Sequence, residues 1–351
     1  MGVLRRLGGM WLALALLCTG GGRMTAAAAD PDPAAILSEG LFSCAEVIDL
    51  GDCALPAEAL GGLYARVLWE NPELFHVAPR LTYRSREDGS GGGRLVWEVY
   101  PVYIQRGEEL TAARALYEDT VAGILAEMDR AFGERTPTEA ERVLYLHDLL
   151  AQRYGYDTRT EGKNGDAYTL FRDGVGVCQA YALAFIALAR GAGLEADFVA
   201  SAAMDHAWNH VRVDGVWYHV DVTRDDPIPA ADGREAVNHT RLLRSDEGME
   251  ALGYHGFSCG AGHTCTDTRF ESDGAAALEE FHAAVIPVGE GWMAAREDGA
   301  PVSVQVGDGF STGQRGDADG DEKITPADLL TLYRESCPEA WREWVRGELV
   351  K

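Results

Sequence analysis

No stretch of this 351-residue chain approaches the roughly eighteen consecutive apolar residues that a membrane-spanning helix needs. The apolar run near the N-terminus, Met10–Cys18, is nine residues long. Basic residues are also scarce, 31 Lys and Arg against 56 Asp and Glu, for a net charge of −25. That deficit argues against nucleic acid and against an anionic membrane as partner. It fits a solvated acidic surface or cationic substrates. Internal repeats are missing, and linker-like composition is confined to Asp308–Arg315.

What is present begins with an N-terminal leader. Arg5 and Arg6, the short apolar run and the small residues Ala26–Ala29 form the pattern of a secretory signal peptide cleaved just before Asp30. Cys18 raises a lipoprotein reading, but Leu17 before it is too bulky for that cleavage. The expectation is therefore a leader over 1–29 and a secreted, extracellular protein with no membrane span, open to association with the cell surface. The remainder, about 320 residues, is ample for a buried core and fits two domains.

Of seven cysteines, Cys18 leaves with the leader. If Cys178 is a nucleophile, five others remain, and an odd number leaves one free or paired between chains. Cys44 with Cys53 and Cys259 with Cys265 are the short-range pairings, with Cys337 left over. His255, Cys259, His263 and Cys265 also have the residue types of a zinc cluster. Their spacing is unusually compact for tetrahedral zinc, and a short disulfide loop or two idle thiols compete with it.

Periodicity predicts helices near Ala35–Leu50 and Ala57–Glu70, then strands Arg80–Arg84 and Arg94–Ile104 joined by the Gly89–Gly93 loop. A long helix follows over Glu108–Phe132. Thr136-Pro-Thr-Glu139 reads as a capping box with proline at the first helical position, opening a helix to about Tyr154. A polar loop, Thr158–Asp166, and a flexible turn, Asp173–Val177, lead to the segment with the most chemistry.

Cys178 opens a strongly helix-forming run that ends at Gly191 and Gly193. A thiol in the first turn of a helix feels the positive end of the helix dipole, which favours the thiolate. The unpaired amides of the same turn can hold an oxyanion. Taken alone, a buried structural cysteine explains the same residue. Asp214-Gly215 then marks a two-residue hairpin turn between His206–Val213 and Val216–Thr223. With that turn, Val213 pairs with Val216, Trp208 with Asp221 and His206 with Thr223. Ala207, Asn209, Val211, Val213, Val216, Tyr218, Val220 and Val222 share a core face. His206, Trp208, His210, Arg212, Trp217, His219, Asp221 and Thr223 share the opposite, polar one. A base and its orienting carboxylate are thus available together, although parity does not choose among His206, His210 and His219.

Gly-Val-Cys178-Gln-Ala-Tyr-Ala, His206-Ala-Trp-Asn-His-Val and Gly-Val-Trp217-Tyr-His-Val-Asp221-Val-Thr resemble the three core motifs of the transglutaminase-like superfamily, above all its bacterial secreted members. Asn71-Pro-Glu-Leu-Phe, Leu146-His-Asp, Asn238-His-Thr and Leu242–Asp246 are similar to flanking segments of those proteins, so the likeness covers roughly 35–260. It implies an α+β, papain-like fold with the cysteine helix packed on an antiparallel sheet. It also implies Cys178, His206 and Asp221 as a catalytic triad, with His210 and His219 as structural neighbours. One departure is Arg224, where many relatives carry tryptophan after Asp-Val-Thr. Such a triad supports attack of the thiolate on an acyl carbon of a peptide or amide, departure of the amine, and resolution of the thioester by water or by a second amine.

Near the C-terminus, Asp317, Asp319, Asp321, Lys323 (through its carbonyl) and Asp328 occupy the positions of a Ca2+-binding loop. The segment resembles one calcium-binding repeat of a dockerin, which implies Ca2+ as a structural ion and a cohesin-bearing scaffold as partner. Glu322 stands where the turn usually has glycine, and Glu335–Lys351 holds no second repeat. Short strands at Val285–Val288, Gly291–Arg296 and Val302–Val306 suggest a small β unit before it. The organisation expected is a leader over 1–29, a catalytic domain over 30–275 with its core motifs in 167–227, a β unit and linker over 276–312, and a dockerin-like loop–helix over 313–351. The functional expectation is a secreted cysteine protease, amidase or transglutaminase acting on protein or peptide. The alternative is a non-catalytic binding module held to a scaffold through calcium.

Overall fold

The structure, a computed structural model, describes residues 32–51, 53, 55–87, 93–134, 136–157, 159, 164–226 and 239–271, and the backbone of 292–297 and 300–305. The expected leader, Cys18, Cys337, the strand at Val285–Val288 and the whole calcium loop (Asp317, Asp319, Asp321, Lys323, Asp328) lie outside the described residues.

The architecture is α+β, mixed helix and antiparallel sheet. Helix α1 (Pro33–Phe42) starts where Asp32 accepts a hydrogen bond from the Ala34 amide at 2.9 Å, with Pro33 at its first turn. It ends well before the predicted Leu50. Cys44 takes a left-handed φ of 55°, and the chain doubles back as β1 (Ile48–Asp49). Gly40 permits this, because a Cβ there would lie 2.6 Å from Ile48 Cγ1. After β2 (Leu55–Pro56) comes α2 (Ala57–Glu70), then β3 (Val77–Glu87) and β4 (Arg94–Tyr103), an antiparallel pair longer than predicted at its first strand. Leu37, Leu41, Ile48, Leu60, Val67, Val96 and Val99 form the core of this unit.

Helix α3 (Gly107–Phe132) matches its predicted span. The next helix, α4 (Glu139–Arg153), does have a capping box, but two residues later than predicted. Thr138 Oγ1 accepts from the Glu141 amide at 3.2 Å, and Glu141 Oε2 accepts from the Thr138 amide at 2.7 Å. Pro137 therefore precedes the cap. This register frees Glu139 to accept from the Asp214 amide at 2.6 Å, tying the helix start to a distant turn.

The path from α4 to Cys178 is not loose. Strand β5 (Gly155–Tyr156) is followed by a helix that periodicity did not reveal, α5 (Ala167–Asp173), capped by Asp166 on the Thr169 amide at 2.8 Å. Gly174 ends it in the left-handed region, φ 75°. Val175–Gly176 then forms β6, a short parallel pair with β5. The segment taken as a flexible turn is thus a helix cap and a bridge. A Cβ on Gly176 would come within 2.8 Å of Ala180 Cβ, so glycine is what lets the bridge lie against the cysteine helix.

That helix, α6 (Cys178–Gly191), packs on a sheet ordered β10-β9-β8-β7-β11, all antiparallel. Its strands are β7 (Ala196–Ser201), β8 (His206–Val213), β9 (Val216–Val220), β10 (Leu242–Arg244) and β11 (Phe257–Cys259). The hairpin register runs as predicted from Val213↔Val216 to Asn209↔Val220, and then stops. Asp221 caps a short helix, α7 (Val222–Asp225), instead of continuing the strand, so the predicted Trp208–Asp221 and His206–Thr223 pairs do not form. The core face packs on α6, where Asn209 Nδ2 also donates to Ala182 O at 3.0 Å. The face read as polar is buried too. Helix α8 (Asp246–Ala251) and the chain after it lay Met249 and Tyr254 over Val199 and Trp208. Farther on, β12 (Trp292–Glu297) and β13 (Ala300–Gln305) form an antiparallel hairpin.

Helix α7 is held from outside the sheet by a buried ion cluster. His147 Nδ1 lies 2.9 Å from Asp148 Oδ1 and its Nε2 lies 3.4 Å from Asp225 Oδ2. His239 and Arg241 supply further partners to Asp148 and Asp225, at 2.7 and 3.1 Å. Burial opposes the charge on His147, but its two carboxylates outweigh burial and push its pKa up to about 9. A raised folded value means that this stabilisation is complete below the unfolded value near 6.5 and is lost as pH rises towards 9. We expect His147→Ala to destabilise the fold by about 3 kcal/mol at pH 6 in urea unfolding. The gap from wild type should shrink by pH 9; a constant gap would contradict a charged His147.

Candidate active site

Cys178 is the first residue of α6, and the cap position before it, Val177, offers no side-chain hydrogen bond. Its own amide is therefore among the first-turn N–H groups that lack an intrahelical acceptor. The thiol is half-buried. Burial pushes its pKa up, but the hydrogen bond and charge of His206, with the amides of Ala207 and Gln179, pull it below the usual thiol value on balance.

His206 starts β8, delivered by a turn in which Asp205 adopts a left-handed φ of 48°. Its Nε2 lies 2.6 Å from Asp221 Oδ2, which leaves Nδ1 as the ring nitrogen for the sulfur. Burial again opposes the charged form, but Asp221 and Cys178 together raise the His206 pKa to about 9. One side of the ring is covered by Trp208, stacked at 5.5 Å and 24°. Asp221 is 1% exposed. Its Oδ1 accepts the Arg224 amide of α7 at 3.2 Å, and its Oδ2 accepts both His206 and the Tyr254 hydroxyl.

The structure thus joins Cys178, His206 and Asp221, the three residues singled out by the resemblance, into one hydrogen-bonded chain. His210 and His219 lie deeper in the sheet, 1% and 0% exposed. Tyr254 went unnoticed in the sequence, because nothing local distinguishes a core tyrosine from one whose hydroxyl meets a carboxylate. The position of the Arg224 departure is informative: its guanidinium sits 4.7 Å over the Tyr254 ring. Tyr156 also lies near the thiol, its phenol pKa raised by burial and then by Cys178, Asp205 and Asp157. A cavity of about 520 Å3 begins one residue along α6, at Gln179, and is walled by Trp69, Phe75, Leu81 and Tyr83.

The cysteine expectations need correction. Cys44, Cys259 and Cys265 are thiols, so neither short-range disulfide forms. The predicted cluster of His255, Cys259, His263 and Cys265 is not assembled either. His255 Nδ1 turns to Gly253 O at 3.0 Å, while His263 stacks on Trp217 and meets Asp197 Oδ2 at 2.8 Å. Antiparallel pairing of β11 with β7 carries Cys259 along the sheet edge, whereas Cys265 reaches the buried face beside His210, His219 and Asp246.

Residues 127–222 match the family model of the Transglutaminase-like superfamily, a span that contains Cys178, His206 and Asp221. That segment is a transglutaminase-like domain, and the fold is transglutaminase-like. Several solved structures resemble the chain, three of them as follows. A candidate cysteine protease from Cytophaga hutchinsonii is 16% identical, with a TM-score of 0.26 over 42% of this chain and 63% of that one. A candidate protease from Parabacteroides distasonis is 12% identical, with a TM-score of 0.24 over 40% and 35%. A TGase is 12% identical, with a TM-score of 0.30 over 60% and 61%. The chain thus spans less than two thirds of the length of each. No curated protein matches it.

Tyr254 and His206 compete for one oxygen of Asp221. Removing the phenol leaves that oxygen to the imidazolium alone, which favours the charged ring. Tyr254→Phe should therefore move the His206 titration above its value of about 9 while the fold is kept. An NMR titration of the ring reads this directly, and a downward shift would refute the competition.

Proposed function

We propose that this chain is a cysteine-dependent acyl-transfer enzyme in which Cys178 is the nucleophile, His206 the acid–base and Asp221 its orienter. The observation that supports this best is the Cys178–His206–Asp221 chain anchored at a helix N-terminus. A thiol with a lowered pKa beside an imidazole with a raised one favours a thiolate–imidazolium pair. The thiolate adds to the acyl carbon of a peptide bond or carboxamide. The oxyanion that develops lies near the first-turn amides of α6. His206 gives its proton to the departing amine, and a thioester on Cys178 remains. Water activated by His206 then releases the acid, and a primary amine in its place gives a cross-link. Hydrolysis is the favoured outcome, with protein or peptide as substrate, and the apolar cavity beginning at Gln179 suits an apolar side chain.

Secretion and attachment belong to this proposal on sequence grounds. They rest on the leader over 1–29 and on a Ca2+-holding loop at Asp317–Asp328 that would dock on a cohesin-bearing scaffold.

The test is the rate of Cys178 alkylation by iodoacetamide from pH 4 to 10, followed by turnover of peptide and carboxamide substrates. The lowered thiol pKa predicts labelling that persists well below the ordinary thiol value of about 8.5 and fails only at acid pH. As pH passes about 9, His206 loses its proton and the pair dissolves. In His206→Ala the hydrogen bond and charge of the imidazole are gone and only the Ala207 and Gln179 amides oppose burial, so labelling should move to higher pH. Cys178→Ala should lower kcat by at least about 10^4-fold. Slow labelling in wild type and His206→Ala alike would instead identify a binding module with a structural cysteine.

A further inference from the structure

The cavity beside the nucleophile is built mainly by the N-terminal unit, outside the span 127–222 that matches the family. Helix α2, the turn at 71–75 and β3 form most of its wall, and α6 closes it with Gln179 and Leu183. Gln179 follows Cys178 directly. Its Nε2 donates to Gly165 O at 2.8 Å, which fixes that wall one residue from the thiol. Two aromatic walls are held from behind as well. The Trp69 ring stacks on Phe198 at 4.9 Å and 16°, and Phe75 stacks on Tyr168 at 4.7 Å and 21°. The pocket is therefore preformed, as binding sites for small groups usually are.

Its lining also selects. Tyr83 and Ile104, 46% and 56% exposed, both belong to it, so two large apolar side chains left open to water meet on one cavity. The charged side chains of the lining are one of each sign. Asp166 is spent on the cap of α5, accepting from the Thr169 amide at 2.8 Å, and Arg80 sits on an exposed stretch of β3. A neutral side chain suits such a surface. Aromatic rings gain most, because stacking and edge-to-face attraction add to the area they bury. The volume, about 520 Å3, takes a bulky one. Gly61 of α2 lines the same space, and a Cβ added there would meet nothing within 4 Å, so the wall can be built inward without a clash.

We propose that this cavity is the subsite for a large aromatic side chain of the acyl-donor peptide, close to the carbonyl that Cys178 attacks. The inference rests on the reading of Cys178 as nucleophile and adds the substrate class to it. The family-like segment then supplies the chemistry, and the N-terminal unit supplies selectivity through Trp69, Phe75 and Tyr83.

Two pairs of dipeptidyl chloromethyl ketones test this, with a benzyl or a methyl side chain at the first or the second residue from the ketone. The Cys178 thiolate displaces chloride from each, and labelling of Cys178 in full-length reduced protein is read by mass spectrometry. The ratio within a pair reports the subsite, whereas iodoacetamide, which carries no side chain, reports the thiol. In one pair the benzyl reagent should label at least about 10-fold faster, the effect of burying one aromatic ring. Gly61→Phe fills the cavity and should bring that ratio close to one. Tyr83→Ala, at a half-exposed position, should lower it severalfold, with folding of both checked by circular dichroism. Equal rates in both pairs, or a benzyl preference unmoved in the folded variants, overturns the subsite. Slow iodoacetamide labelling that His206→Ala leaves unchanged overturns the nucleophile reading instead, and the benzyl-to-methyl ratio still judges the cavity.

Discussion

Both oxygens of Asp221 are committed, and they are committed to different parts of the molecule. Oδ1 caps α7, so it stops β9 and turns the chain away from the sheet. Oδ2 holds His206 and accepts the phenol of Tyr254. The residue that bonds the imidazole is therefore also the residue at which β9 ends. Its own amide donates to Arg241 O at 3.1 Å, and Arg241 in turn pairs with Asp225 of α7. A carboxylate fixed by that many partners cannot swing away from the imidazole, which is what an orienting group requires. The ion cluster around His147 does the same one layer further out, holding α7 against α4.

Electrostatics then explain why the helix bearing Cys178 needs no side-chain cap. A serine or aspartate before Cys178 would satisfy first-turn amides and compete with the thiolate for them. Val177 leaves those amides to the sulfur and to any oxyanion. Without a side-chain cap the helix start is held by Val177 N donating to Asn164 O, by Gln179 Nε2 donating to Gly165 O, and by packing, for α6 is nearly all buried from Ala180 to Ala189. Gly176 contributes by letting the β5–β6 bridge press against Ala180. Helix, bridge and preceding cap at Gly174 leave the nucleophile little freedom, although the sequence around it reads as mobile glycine-rich turn.

That contrast shows what is legible in a sequence. The hairpin register followed from Asp214-Gly215 alone, and the α6 boundaries from composition, because both are local effects with strong residue signatures. The three residues now seen in one hydrogen-bonded chain were legible through motif resemblance. Hairpin parity only narrowed the choice of histidine, and its extension to Trp208–Asp221 failed where a helix cap overrode the ladder. The burial of the second face was not legible. His206, Trp208, His210 and His219 look polar as a row, and only the distant cover of Met249 and Tyr254 makes them interior. Helix α5 escaped for a simpler reason: seven residues carry too little periodicity to stand out.

A sheet that buries aromatic and imidazole rings on one face and aliphatics on the other is unevenly constrained. The mostly aliphatic side is filled by α6, with Asn209 Nδ2 donating to Ala182 O. The other side carries polar atoms that must each find a partner at low dielectric. Trp208 resolves much of this by facing two ways, its ring on His206 and its N–H on His219. The indole thus joins the base of the triad to the deeper pair, and the cover that seals one seals the other. Loosening that cover would weaken the bond between His206 and Asp221, the contact that raises the imidazole pKa against burial. Packing on the far side of the sheet in this way bears on the imidazole that lowers the Cys178 pKa.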